Sequence, residues 1–158
     1  MADLTHIDAD GRARMVDVSA KTTTVREAVA TGRIMMAPET LSLALSGGGR
    51  KGDVRAVAEI AGVMAAKKTA DLIPLCHPLP LDAVVVAVEA SADGSGLSVT
   101  ATTRTTGRTG VEMEALTAAT VALLTLYDML KAVDRGMTIE AVGLVSKTGG
   151  TSGDWVRA

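Results

Sequence analysis

Two short stretches of this chain carry side chains that could do chemistry. In YDMLK (127–131) a carboxylate, Asp128, and an amine, Lys131, stand three residues apart. On a helix that spacing makes them neighbours on one face. Turned to solvent, such a pair supports a helix by about 0.2–0.5 kcal/mol and does nothing else. Turned to a pocket, it is an acid–base couple whose proton affinities the surroundings can tune. In LIPLCHPL (72–79) the only cysteine, Cys76, sits beside His77, one of two histidines, among prolines at 74, 78 and 80. Proline fixes φ and removes a backbone donor, so this loop can hold an imidazole in one orientation. Adjacent residues of an extended segment point to opposite sides, which places the thiol and the imidazole badly for acting on each other. No CxxC or HxxxH spacing offers a metal site. Cys76 reads as a small buried loop residue, and His77 as a group held for a ligand or a proton.

Further candidates are weaker. Glu112 and Glu114 open the helical stretch GVEMEAL, where a capping box with Thr109 and the helix dipole explain both acids without a site. Basic residues stand beside glycines at Lys51 (RKGD), Arg108 (TTGRTG) and Lys147 (SKTGGTSG), and AAKK ends with Lys67 and Lys68. Glycine lets the backbone turn N–H groups toward an anion and the cation adds charge, so together these loops favour a phosphate-bearing small molecule. There is no GxxxxGK[ST], which excludes a P-loop.

These residues must be positioned by a small domain. The 158 residues suit one domain, large enough to bury a core unaided. That core must be built from Val, Leu, Ala, Ile and eight Met, because there is no Phe and only one Tyr and one Trp. A net charge of −2 and so few aromatics argue against nucleic acid. A lone cysteine excludes an intrachain disulfide and fits a reducing compartment. The polar start MADLTHIDADGRARM is unlike a signal peptide, and no apolar run approaches the ~20 residues of a membrane span. A cytoplasmic setting follows.

Residues 1–14 are expected to be flexible, and 15–158 to form a single domain. VDVSAK (16–21) and TVREAVATGRIMM (24–36) read as strands, with a bend or bulge at Gly32. Pro38 starts a short helix that Gly47 stops. Asp53 caps a helix with an apolar stripe at Val54, Val57, Ala58, Ala61, Met64 and Ala65. AVVVAVEA (83–90) and LSVTATTRT (97–105) flank a hairpin turn. A long helix runs from Gly110 to about Val133, with Thr117, Thr120 and Leu124 continuing the face of Asp128 and Lys131. MTIEAVGLVSK (137–147) is a last strand. The order from residue 24 is the ferredoxin-like βαββαβ pattern, an α+β fold with an extra N-terminal strand and a short helix.

MVDVSAK (15–21), KGDV (51–54), AAKKTADLIPLCHPL (65–79), TGVEMEAL (109–116), YDMLKAV (127–133) and SKTGGTSGD (146–154) together resemble the motifs of the MoaC family of molybdenum cofactor biosynthesis. The resemblance implies a lyase that converts 3′,8-cyclo-7,8-dihydro-GTP into cyclic pyranopterin monophosphate and releases pyrophosphate. It implies a ferredoxin-like fold and a hexamer built from dimers, with active sites at subunit interfaces. It makes Asp128 and Lys131 the catalytic pair. Leu75, Cys76, His77, Met113 and Glu114 match substrate-contacting positions, and Lys51, Lys67, Glu112 and Lys147 match further polar site positions, with Lys21 and Arg26 behind them. It implies no bound metal or organic cofactor, although Mg²⁺ can accompany a triphosphate. The rival readings are a ligand-sensing domain, which releases no pyrophosphate, a Cys-His hydrolase, which loses activity on Cys76→Ser, and an interaction module with no affinity for GTP-like ligands.

Overall fold

The computed structural model describes residues 4–47 and 53–158. Their order is β1 (Thr24–Met35), α1 (Pro38–Ser46), α2 (Val54–Ala66), α3 (Thr69–Leu72), β2 (Ala83–Ala90), β3 (Gly96–Gly107), α4 (Glu112–Leu130), β4 (Thr138–Thr148) and β5 (Trp155–Val156). The five strands form one antiparallel sheet in the order β2-β3-β1-β4-β5. This is an α+β fold.

Period-2 patterning decides which side of the sheet is covered. Ala28, Ala30 and Ile34 of β1, with Leu97, Val99 and Ala101 of β3, are buried against α4, while α2 packs on α4 and β2. Their alternates carry ion pairs on the opposite side, Glu27–Arg104 and Arg33–Glu140 at 2.5 Å each. Alanine replaces the absent aromatics. Ala115, Ala118, Ala119 and Ala122 of α4 are all buried, and among the described residues methionine contributes only Met137 to the buried core. Small residues let the layers approach closely. A Cβ on Gly32 would stand 2.7 Å from Leu123 Cδ1 and 2.9 Å from Val142 Cγ2, so the missing side chain is where α4 and β4 close on β1.

Most of the expected elements form for the expected reasons. Asp53 accepts from the Arg55 and Ala56 amides at the start of α2, and Gly47 ends α1 with φ of 67°. The irregularity expected at Gly32 lies in the opposing strand. The β1–β4 register shifts between Val29 and Ala30 and again between Thr31 and Arg33, and Ala141 of β4 takes φ of 55°.

Several expectations are corrected. Residues 16–21 form no strand. Asp17 draws the Ser19 amide and hydroxyl into a turn at 2.9 and 2.6 Å, and Lys21 N bonds Val18 O, so the backbone bends instead of pairing. The extra strand is β5, at the other end of the chain. The long helix begins at Glu112, with Val111 at the N-cap and no side-chain cap. No Thr109–Glu112 capping box forms, because the Glu112 carboxylate is engaged by Lys147 at 3.1 Å. Val57 and Met64 of the expected stripe on α2 are exposed, as is Ile60. By length and composition α4, with mean hydropathy 1.3, could cross a membrane, against the expectation that no segment approached that size. Its buried alanines and leucines make it the central core helix.

Candidate active site

Two buried threonines on β3 tie down the loops that carry the site. Thr103 Oγ1 donates to Val111 O at 2.9 Å, fixing the entry to α4, and Thr105 Oγ1 donates to Pro80 O at 2.5 Å, fixing the proline loop. Both face the covered side of the sheet two residues apart, so the two loops are held side by side. On β1, the buried Arg26 is paired in register with Thr105. It donates to Gly107 O and Arg108 O at 3.0 and 3.2 Å, which fixes the turn before α4.

Between these loops lies a cavity of about 480 Å³. Ile73, Pro74, Leu75 and Met113 give it apolar walls. Cys76, His77, Thr109 and Glu112 bring polar groups, and His6 joins them from the N-terminal segment. LIPLCHPL and GVEMEAL, which the resemblance made substrate-contacting, thus meet at one cavity, and His6, Thr109 and Gly110 join them without having been expected.

His77 is oriented by backbone. Its Nε2 lies 2.6 Å from Val16 O. A carbonyl only accepts, so Nε2 carries the proton and Nδ1 is the ring nitrogen left for a ligand. The Cys76 thiol points elsewhere, donating to Glu114 Oε1 at 3.7 Å. Burial and the neighbouring Glu114 push the thiol up to about 11, which makes it a poor nucleophile at neutral pH. Glu114 is 3% exposed, and burial raises its carboxyl above the usual range. Its Oε2 is buried without a hydrogen-bond partner, a costly state that a shared proton or a bound donor relieves.

A second, smaller cavity of about 170 Å³ adjoins the first, and Thr109, Gly110 and Glu112 line both. Its side chains are strongly polar. Lys21, Arg26 and Lys147 line it together with Glu27 and Glu112, and Thr151 and Ser152 add hydroxyls. Lys147 Nζ lies 3.1 Å from Glu112 Oε1 and 3.2 Å from Ser152 Oγ. The glycine before the helix leaves the room for this contact, since a Cβ on Gly110 would stand 2.0 Å from Glu112 Oε2. Glu112 thus folds back against bare backbone to reach Lys147. Cations next to hydroxyls and turning glycines suit an anion.

Other expected site residues lie apart. Asp128 and Lys131 pair with each other at the far end of α4. Their side chains are 60% and 52% exposed, and neither lines any of these cavities. Lys67, the C-cap of α2, lines a different cavity beneath Leu79–Val84. Lys51 lies outside the described residues.

The MoaC family model matches residues 15–150. The chain belongs to the MoaC family. A cyclic pyranopterin monophosphate synthase of Novosphingobium aromaticivorans is 62% identical over 158 residues, covering all of this chain and 99% of the relative. The protein of that name from Thermomicrobium roseum is 60% identical over 157 residues, 99% of this chain and 95% of its own. The one from Chloroflexus aggregans is 58% identical over 154 residues, 98% and 93% respectively. The family match spans both loops of the cavities, Lys147 of the second and the Asp128–Lys131 pair; His6 precedes it.

Proposed function

We propose that this chain converts 3′,8-cyclo-7,8-dihydro-GTP into cyclic pyranopterin monophosphate with release of pyrophosphate. It is an enzyme of the MoaC family, acting in molybdenum cofactor biosynthesis. The observation that carries the proposal is the pair of adjoining cavities joined at Glu112. The apolar one with His77 suits a fused heterocycle, and the cationic one suits the phosphates.

The residue roles are part of the proposal. Leu75, Cys76, His77, Met113 and Glu114 hold the ring system, with His77 Nδ1 facing it and Cys76 acting by shape. Lys21, Arg26 and Lys147 take the triphosphate, and Lys51 and Lys67 add charge. Opening the imidazole and sugar rings moves protons among nitrogens and oxygens, and Lys131, oriented by Asp128, carries them. Cyclisation forms a bond from an internal hydroxyl oxygen to the α-phosphorus. It breaks the bond to the departing pyrophosphate, and the hydroxyl proton passes to a base. Cations around the leaving group stabilise its charge. Holding the folded-back geometry supplies much of the rate.

One chain cannot bring these parts together. Leu124, one turn before Asp128, is 56% exposed, and the outer face of α2 carries exposed Val57, Ile60 and Met64. Exposed Leu124 beside the catalytic pair and a further exposed apolar face on α2 support burial against another copy. We therefore read the enzyme as a hexamer built from dimers, with each active site shared between copies. The antiparallel order β2-β3-β1-β4 supports reading the core as ferredoxin-like. A cytoplasmic, soluble setting and a small-molecule substrate, with no nucleic-acid or membrane partner, complete the proposal.

Incubation with the cyclised GTP derivative tests it. Stoichiometric pyrophosphate and cyclic pyranopterin monophosphate support the assignment. Binding without pyrophosphate release makes the protein a sensor and contradicts it.

A further inference from the structure

The N-terminal segment supplies a residue to the ligand cavity. Residues 4–14 fold back through an isolated bridge between Ile7 and Ala13. The Asp8 carboxylate accepts from the Asp10 and Arg12 amides at 3.0 and 2.8 Å, and Arg14 N bonds His6 O at 2.8 Å. This turn sets His6 at the rim of the larger cavity, where His77 also lies.

The two imidazoles are held in the same way. His6 Nδ1 lies 3.3 Å from Arg14 O, and His77 Nε2 lies 2.6 Å from Val16 O. Both carbonyls belong to one short stretch of the N-terminal segment. Because a carbonyl only accepts, each bonded nitrogen carries its proton. The nitrogens left over are His6 Nε2 and His77 Nδ1, each an acceptor in the neutral ring. Ile73, Pro74, Leu75 and Met113 give the same cavity apolar walls, so what fits is a flat heterocycle whose edge presents N–H or O–H donors.

We propose that His6 is a substrate-contacting residue, its Nε2 accepting a hydrogen bond from the heterocyclic end of the ligand in the cavity with His77. This rests on the function proposed above. Arg14 and Val16 act through the two rings and are positioning residues, by their main chains.

The test compares His6→Ala, His6→Asn and His6→Gln with the unaltered protein, by steady-state kinetics on the cyclised GTP derivative. An asparagine amide reaches the Nδ1 position and can keep the Arg14 contact, whereas a glutamine amide reaches the Nε2 position. His6→Ala and His6→Asn should both raise KM about tenfold, the effect of one lost hydrogen bond. His6→Gln should recover part of that affinity. Asparagine behaving as wild type, glutamine recovering nothing, or alanine leaving KM unchanged each overturns the assignment of His6 and leaves the proposed function standing. An unaltered protein that releases no pyrophosphate overturns both. Melting curves that coincide across the series exclude a folding effect, which an exposed residue at a turn should not produce.

Discussion

Glu112 and Asp128 stand at opposite ends of α4, sixteen residues apart, which at 1.5 Å per residue is about 24 Å. Glu112 joins the two ligand cavities. Asp128 holds Lys131 at the other end. A nucleotide folded back on itself cannot touch both ends of one helix. Asp128→Asn and Lys131→Ala should nevertheless each lower kcat about 10²–10⁴-fold, the range for losing a positioned acid or base. Both side chains are more than half exposed in the chain, so the fold of each copy, read by circular dichroism, should be unchanged. Near-normal turnover in both variants would remove the pair from the mechanism.

Cys76 provides a contrast with a hydrolase. Its thiol is raised to about 11 by burial and Glu114, so below that pH it stays protonated. Iodoacetamide should label it slowly at pH 7 and faster only as the pH climbs toward 11. Cys76→Ser should keep turnover within about threefold, since a thiol held protonated by its surroundings makes a poor nucleophile. Rapid alkylation at neutral pH, or loss of activity in the serine variant, would reinstate a thiolate mechanism.

Glu114 makes folding pH-dependent with a definite sign. Burial raises its carboxyl in the folded state. The stability linked to this group is therefore fully present below the unfolded value of 4.5, and is lost as pH rises through the folded value. Glu114→Gln keeps the shape without the charge. It should raise Tm at pH 8 by a few degrees and leave it little changed at pH 4. Equal shifts at both pH values would contradict a carboxyl strained by burial.

Gly110→Ala tests how the cavities are joined. A Cβ there meets the Glu112 carboxylate at 2.0 Å, and the flexible side chain can swing away at little cost to the fold. The Glu112–Lys147 contact of 3.1 Å would open. KM should rise about three- to tenfold with Tm held. A large fall in Tm with normal kinetics in the surviving fold would mean that Gly110 serves the backbone alone.

Much of this was legible in the sequence where local rules act alone. Asp53 before an apolar helix, Pro38 and Gly47 around a short one, and a hairpin turn between alternating strands all formed as their chemistry dictates. Failures came where a side chain had a tertiary partner. Glu112 was given to a helix cap, but Lys147, 35 residues on, claims it. VDVSAK has strand-forming residues, but Asp17 turns the backbone and Val16 O is used by His77. The meeting of loop 72–79 with the start of α4 was visible only through family resemblance, because Thr103 and Thr105, which enforce it, look like ordinary strand residues. His6 gave no local signal at all. Its place follows from a turn held by Asp8.

In the proposed enzyme one active site draws His77 and Glu112 from one copy and Asp128 and Lys131 from another. Subunit complementation tests it most directly. A protein carrying both His77→Ala and Glu112→Ala and a Lys131→Ala protein, each first shown to be inactive alone, are unfolded together, refolded as mixed oligomers and assayed for pyrophosphate release. If two copies share each site, random mixing rebuilds intact sites at roughly a quarter of the wild-type number, and activity should return to about that level. Mixed oligomers as inactive as either parent would contradict a shared site.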